Sequence, residues 1–337
     1  MDASRSLYIS TERGLMRGDL NGTLADVRPL GLEGHGRVWS VVVDHRVPSR
    51  LYAGTTRGGV FRSDDAGQTW QKKSEGLFYQ EVSSLVQHPK TGELYAGTRP
   101  ASIFKSSDYG ESWSNLDGLH TLKEMDRWTF PNPPYFPHVK AIGLAGANPK
   151  LILGAIEEGW LVRSTDGGVT WTNLQDGPEF DSHTVYAMPD DEKILVSTSG
   201  KGVYRSVDGG DHFVPANDGL NSRYLAHLAF HPDAPQTLFT AGAEVPPPHW
   251  RRPEGCRSQI YRSENQGRSW QALKGGLPND MRAAPRVVAG DRYAPGWVLV
   301  GMQDGDLWLS QDFGESFRRV ATSLPALFGL TTAAARG

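Results

Sequence analysis

Histidine and carboxylate side chains next to short apolar segments are the residues of this 337-residue sequence best suited to chemistry. His138, His183 and His227 each lie at the start of such a segment, and Glu157 and Glu244 directly follow one. A glutamate can act as a general acid or base while neighbouring imidazoles orient a substrate. If the protein is an enzyme, we therefore expect Glu157, His183 and Glu244 to be its catalytic residues.

The same histidines allow a second chemistry. Three imidazoles together with a carboxylate are ligand types that bind zinc or another divalent metal. His138, His183 and His227 do not have the short spacing of a local metal motif, so they could bind a metal only if the fold brings them together. The sequence leaves this alternative open and indicates no other cofactor.

Aromatic and polar residues near these positions predict a pocket with aromatic walls, which suits a carbohydrate or another small polar ligand. The residues expected to bind it are Trp128, Phe130, Tyr135, His138, Tyr224, His227, Arg286 and Gln303. Each has a purely structural alternative. The three aromatic residues between 128 and 135 could form a small core of their own, and the histidines could simply bond to neighbouring loops.

One octapeptide occurs six times along the chain and indicates the scaffold that positions these residues. Its pattern is Ser-x-Asp-x-Gly-x-Thr/Ser-Trp/Phe, with Asn265 in place of the Asp in the fifth copy and His212 at the seventh position of the fourth. The copies begin at Ser63, Ser106, Ser164, Ser206, Ser263 and Ser310. The shortest spacings, 42 and 43 residues, are the length of one four-stranded propeller blade.

The chemistry of the octapeptide favours a turn over an active site. Its Asp can accept hydrogen bonds from turn amides, and its Gly permits a tight reversal. Its aromatic residue can pack between adjacent sheets. Because an enzyme rarely needs six equivalent active sites, we interpret the repeat as structural.

Counting strands around the repeats predicts an all-β, seven-bladed propeller that forms a single domain over residues 1–337. Residues 7–10 and 327–332 supply strands from the two ends of the chain to one blade, which would close the ring. The alternative is a six-bladed ring with an additional hairpin. Two insertions, residues 118–138 and 244–257, are expected on the top face, around a central pocket.

The octapeptide resembles the Asp-box, or bacterial neuraminidase (BNR) repeat. Sialidases, some other glycoside hydrolases, sortilin-type receptors and photosystem assembly factors share it. The resemblance implies the propeller fold but not one activity. The Arg-Ile-Pro motif of sialidases is absent, and Arg46-Val47-Pro48 lies at the wrong end of a strand to replace it. The open alternatives are binding or hydrolysis of a polar ligand, a metal-dependent reaction, and a non-catalytic scaffold for a protein partner.

Composition and charge narrow the possible classes of function further. A net charge of −3 without a basic cluster argues against nucleic-acid binding. No apolar run is long enough for a membrane span, and residues 1–20 contain no signal-peptide core. The single Cys256 excludes an internal disulfide. From these features we expect a cytoplasmic protein without membrane contact.

Overall fold

A computed structural model describes residues 5–231 and 234–334. Within these residues, seven antiparallel sheets of four strands each form a β-propeller. The predicted all-β fold with seven blades is confirmed. Blades one to six follow one another along the chain from β4, and blade seven has the strand order β28-β1-β2-β3.

The strands, in chain order, are β1 (Arg5–Thr11), β2 (Gly14–Leu20), β3 (Leu24–Pro29), β4 (Val38–Val43), β5 (Leu51–Thr55), β6 (Gly59–Ser63), β7 (Gln71–Lys72), β8 (Glu81–Gln87), β9 (Leu94–Arg99), β10 (Ile103–Ser106), β11 (Ser114–Asn115), β12 (His138–Leu144), β13 (Ile152–Glu157), β14 (Leu161–Ser164), β15 (Thr172–Leu174), β16 (Ser182–Met188), β17 (Asp191–Ser199), β18 (Gly202–Ser206), β19 (Val214–Pro215), β20 (Tyr224–His231), β21 (Ala234–Ala243), β22 (Gln259–Ser263), β23 (Gln271–Leu273), β24 (Pro285–Gly290), β25 (Val298–Met302), β26 (Leu307–Ser310), β27 (Arg318–Ala321) and β28 (Leu327–Ala333).

The two ends of the chain close the ring as the sequence predicts. Strand β28 pairs with β1 in antiparallel register, with Tyr8 opposite Thr331 and Ile9 opposite Leu330. Both ends of the described chain are therefore held in hydrogen-bonded sheet, and blade seven has four strands like the other six blades.

The octapeptide forms the turn between the third and fourth strands of six blades. In the first copy, the Ser63 hydroxyl donates to Asp65 Oδ1 at 2.7 Å and accepts from the Gly67 amide at 2.7 Å. Asp65 Oδ2 accepts from the Thr69 hydroxyl at 2.6 Å. In the fifth copy, Asn265 accepts from the Ser269 amide in the same way. The local hydrogen bonds within the turn account for the repeat without a catalytic role.

The aromatic residue of the octapeptide joins neighbouring blades. The backbone amide of Trp270 donates to Asp218 O at 2.8 Å, and its indole donates to Ala216 O at 3.1 Å. Trp70 makes the corresponding indole bond to Leu30 O at 2.8 Å. The fourth strand, β7, begins at Gln71, directly after the octapeptide. Trp70 is used for packing against the preceding blade instead of sheet pairing.

Four short 3-10 helices occur among the described residues, and they lie in connections. They cover Glu33–His35, Asp117–Thr121, Lys123–Arg127 and Pro247–His249. The last three belong to the two insertions, which leave the blades intact. Among the described residues, no helix has the length and apolar character that crossing a bilayer requires.

Candidate functional site

A β-bulge at one repeated position aims side chains at the propeller axis. In each of the seven blades, the innermost strand has one residue more than its neighbour at this position. A bulge locally turns the strand and redirects the extra side chain. The extra residues are Trp39, Ser83, Lys140, His183, Ala226, Arg286 and Phe328. We call them the bulge ring.

A cavity of about 1360 Å³ lies on the propeller axis. Trp39, Ser83, Lys140, His183, Arg286 and Phe328 of the bulge ring line it. The insertions contribute Phe130 from residues 118–138 and Trp250 from residues 244–257. The rigid ring and its two insertions thus converge on one site, in the place that the sequence predicts.

Glu157 lies at the centre of an ion-paired group in blade three. Its Oε2 accepts from Lys140 Nζ at 2.7 Å and lies 3.0 Å from His138 Nε2. Burial alone would raise the pKa of Glu157, but Lys140 and the bond from His138 hold that pKa well below its ordinary value. Glu157 is therefore a fixed anion, suited to accept hydrogen bonds and unsuited to donate a proton.

His183 in blade four is fully buried and engaged on both sides of its ring. Nδ1 lies 2.6 Å from Leu225 O, and Nε2 lies 3.1 Å from Asp181 Oδ1. Burial of Asp181 would raise its pKa, yet the hydrogen bond from His183 lowers it overall. These two contacts fix the orientation of the imidazole ring.

These contacts bear on the metal alternative. Among the described residues, one set of three ligand atoms lies within 4.8 Å, and it consists of Glu157, Asp181 and His183. The three-histidine set expected from the sequence is not brought together as a ligand set. Lys140 Nζ lies 2.7 Å from Glu157 Oε2, in the place where a cation would bind this carboxylate. A metal ion at the cluster of Glu157, Asp181 and His183 would therefore compete with an existing ion pair.

Two further titratable groups in the cavity have shifted pKa values. Burial lowers the pKa of His227 to about 3, helped by the charges of Lys140 and His183. Burial raises the pKa of Glu158, and the nearby charges of Asp181 and Glu157 add to this. His227 is thus neutral at physiological pH, and Glu158 is the carboxyl group of this sector that holds its proton most readily.

Aromatic and cationic side chains form the opposite sector. The ring of Tyr224 lies edge-on to Trp250, with centroids 5.4 Å apart, and contacts His183 at 4.8 Å. The indole of Trp250 is fixed by its bond to Val245 O at 2.8 Å. The Arg286 guanidinium lies 5.1 Å from the Trp250 ring. A chain of ring contacts therefore connects the charged sector of blades three and four with blade six.

Most of the site residues expected from the sequence line the cavity, and three do not. Those lining it are Phe130, His138, Glu157, His183, Tyr224, His227, Arg286 and Gln303. Trp128 is only 6% exposed and packs in an apolar cluster with Leu119 and Ile156, so it stabilises its insertion. Tyr135 is 58% exposed and faces away from the cavity lining.

Glu244 is the third residue outside the cavity, which corrects its expected catalytic role beside Glu157. Its backbone amide donates to Cys256 O, and this bond closes the base of the insertion. The carboxylate, 49% exposed, pairs with Arg257 Nη1 at 3.3 Å. Hydrogen bonding within the insertion therefore turns Glu244 toward solvent.

Reasoning from the sequence missed several residues of the cavity: Arg37, Trp39, Lys140, Asp181 and Phe328. A signal for three of them was present. When the innermost strands are aligned, those of blades one, two, three and seven have the pattern apolar-x-small-apolar, as in Val139-Lys140-Ala141-Ile142 and Leu327-Phe328-Gly329-Leu330. The position x is the bulge, and its residue type differs in all seven blades.

The fold and the six octapeptides define an Asp-box β-propeller. The BNR/Asp-box repeat family matches residues 61–72, and the family described as sortilin, neurotensin receptor 3, matches residues 159–279. Vacuolar protein sorting/targeting protein 10 of Penicillium rubens is 28% identical over 116 residues, which cover 34% of this chain and 7% of that protein.

Solved structures show the same fold. A GH74 enzyme of Niastella koreensis superposes with a TM-score of 0.63 at 17% identity, over 84% of this chain and 45% of that chain. YCF48 bound to D1 peptide superposes with a TM-score of 0.55 at 20% identity, over 84% of this chain and 80% of that chain. The chain thus spans a small part of the sorting protein and less than half of the GH74 enzyme. Its fold is that of the GH74 enzyme and of YCF48, and about a third of its sequence is similar to the sorting protein.

Proposed function

We propose that this propeller binds a small, polar, carbohydrate-like ligand in its central cavity. The bulge ring carries the proposal. The octapeptides repeat nearly the same residues in six blades, but the seven bulge positions hold seven different residue types. A symmetric scaffold needs such asymmetry at its axis to recognise an asymmetric ligand, whereas packing alone would be served by one repeated residue.

The chemistry of the lining supports binding over proton transfer at Glu157. Lys140 and His138 hold this carboxylate in place as a hydrogen-bond acceptor. Trp39 and Phe130 add aromatic surface on which the apolar face of a sugar ring can pack. Because these groups are already oriented by their own bonds, binding loses little side-chain entropy.

The experiment is a titration of glycans and sugar derivatives, measured by calorimetry on the full chain. Glu157→Gln and Trp39→Ala should each weaken binding at least about tenfold, because each removes a ligand contact in the cavity. Glu254→Gln, a change of the same type at an exposed position, serves as the matched control and should bind like the wild type. Binding that survives both cavity changes would contradict the proposal.

A glycoside hydrolase is the second candidate, favoured by one observation. Glu158 and Asp181 both line the cavity, and their pKa values are shifted in opposite directions. A carboxyl group with a raised pKa and one with a lowered pKa correspond to the acid and the base of such an enzyme. Glu158→Gln should then abolish release of reducing sugar while ligand binding persists. Turnover unchanged in this variant would rule out Glu158 as the acid.

A further inference from the structure

Arg37 and Arg286 both lie close to the ring of Phe328. The Arg37 guanidinium is 4.2 Å from the Phe328 ring and 4.4 Å from the ring of Trp39. The Arg286 guanidinium is 5.6 Å from Phe328 and 5.1 Å from Trp250. All five side chains line the central cavity. Each guanidinium is thus stacked on two aromatic rings at the wall of one site.

Neither arginine has an ion-pair partner in the part of the chain that the structure describes. The carboxylates there form ion pairs within 4.0 Å of other basic residues but not of Arg37 or Arg286. The Nε atoms of both arginines are buried without a hydrogen-bond partner. Buried guanidinium donors without acceptors are costly, since such groups are normally paired.

The electrostatics of the two side chains agree with this geometry. Burial lowers the pKa of both, and the charge of Arg37 lowers that of Arg286 further. The negative charges of Glu12 and Glu81 raise the pKa of Arg37, but neither carboxylate lies within ion-pair distance of its guanidinium. Two positive charges therefore share a partly buried sector without a counter-charge in contact.

The bulges of the innermost strands position Arg286 and two of the rings beside the two arginines. Arg286, Phe328 and Trp39 are the bulge-ring residues of blades six, seven and one. Stacking covers the faces of the guanidinium planes and fixes their orientation, so that the N–H edges stay available to an acceptor. A planar fork of this kind matches the oxygen atoms of a carboxylate or a phosphate.

We infer that the ligand of the central cavity carries an oxyanion, a carboxylate or a phosphate, that binds between Arg37 and Arg286. The uncharged remainder of the ligand then extends toward Glu157 and Asp181, whose negative charges exclude a second anion from their side. This inference rests on the proposed function and specifies its ligand class as an acidic or phosphorylated polar compound.

The test compares glucuronate, glucose 6-phosphate and glucose at millimolar concentration, with binding measured by NMR titration and by thermal stabilisation. Glucuronate or the phosphate should bind wild-type protein at least about tenfold more tightly than glucose, because a charge-assisted bond is added. The preferred probe identifies which oxyanion is recognised. Arg37→Gln and Arg286→Gln should remove this preference, and Arg37→Lys should retain only part of it.

Arg28→Gln is the matched control, because it removes the same charge at an exposed position outside the cavity lining. It should keep the preference for the anion. Melting curves of each variant check folding separately. If glucose binds as tightly as glucuronate and both arginine variants leave binding unchanged, the inference is overturned while the proposed function stands. If none of the probes binds the wild type, both are contradicted.

Discussion

Lys140 Nζ lies 2.7 Å from Glu157 Oε2, across the first two strands of blade three. Lys140 is the extra residue of the bulge in β12, and Glu157 is the last residue of β13, opposite His138. In a regular strand pair, the register would leave no additional side chain at this point. The bulge therefore supplies the cation that fixes Glu157 as an anion at the cavity wall.

We expect Lys140→Met to destabilise the protein. The variant leaves Glu157 with His138 as its remaining close partner, so a mostly buried carboxylate loses its main counter-charge. The two side chains are 26% and 15% exposed, and we expect a loss of about 1–3 kcal/mol in the free energy of unfolding. Urea unfolding at neutral pH measures this loss.

A double-mutant cycle separates the ion pair from other effects of the substitution. Glu157→Gln and the double variant should show a coupling free energy above about 0.5 kcal/mol. Lys123→Met, at an exposed position, should change stability little. A coupling energy near zero would mean that the short distance does not reflect a stabilising interaction.

His227 should remain neutral well below the ordinary pKa of an imidazole. Its pKa of about 3 lies below the value near 6.5 expected in the unfolded chain. Between these values the unfolded state binds more protons, so stability falls as the pH decreases from about 6.5 to about 3. His227→Gln should make this decline shallower than in the wild type.

The measurement combines unfolding at several pH values with an NMR titration of the imidazole. Histidine signals that are lost in His227→Gln identify the residue, and they should not shift between pH 7 and pH 5. A titration midpoint near pH 6.5 for these signals would show that water reaches the His227 ring and that burial does not lower its pKa. The exposed His212 provides a comparison, since its pKa is raised by its hydrogen bond to Asp208.

The features of the structure that could be predicted from the sequence are those that repeat along the chain. The octapeptide and the strands around it repeat, so strand counting predicted the seven blades and the closure of the ring by the two chain ends. Glu157 and Glu244 occupy similar places after a second strand, yet only Glu157 reaches the cavity. The difference arises from hydrogen bonds inside the 244–257 insertion, which occurs once and has no periodicity to read.

The Lys140 position was missed for a different reason. Period-two alternation assigns each residue of a regular strand to one face, and one additional residue breaks that assignment. A bulge cannot be recognised from the sequence of one strand, and it is recognised only when the innermost strands of the blades are compared. The position whose residue type differs from blade to blade then marks the side chains that face the axis.

Asn265→Asp should make stability more dependent on pH. In the first octapeptide, bonds from the Thr69 side chain and amide and from Ser63 lower the pKa of Asp65 to about 2. An aspartate at position 265 would meet the Ser269 amide and hydroxyl in the same geometry. A lowered carboxyl pKa stabilises the folded state above the unfolded value near 3.9, and this stabilisation is lost as the pH falls toward 2.

The difference in Tm between pH 7 and pH 2.5 measures the effect by calorimetry or circular dichroism. This difference in Tm should be larger for Asn265→Asp than for the wild type, because one more octapeptide turn now contains a carboxyl group that titrates. The reverse change in the first copy, Asp65→Asn, should make the difference smaller. An equal difference in all three proteins would show that the turn hydrogen bonds do not distinguish carboxylate from amide.

Gly219, in the connection between blades four and five, is a position at which we expect a single methyl group to be damaging. Its φ is +81°, and a Cβ added there would lie 1.8 Å from Trp270 O in the octapeptide of blade five. Asp218 O accepts from the Trp270 amide at 2.8 Å, so the backbone cannot move away without breaking this bond. Gly219→Ala combines a strained backbone with a clash and should cost roughly 2–4 kcal/mol.

Gly34→Ala is the matched control, since a Cβ at Gly34 has no atom within 4 Å. Its effect on stability should stay within about 0.5 kcal/mol. Gly76 has the same relationship to Trp113 O in blade two, at 2.0 Å, so Gly76→Ala should resemble Gly219→Ala. If urea unfolding shows Gly219→Ala and Gly34→Ala to be alike, the contact between this glycine and the octapeptide backbone is looser than the geometry requires. A large loss at both Gly219 and Gly76 would place the stability of the ring in this repeated backbone contact as well as in the apolar core.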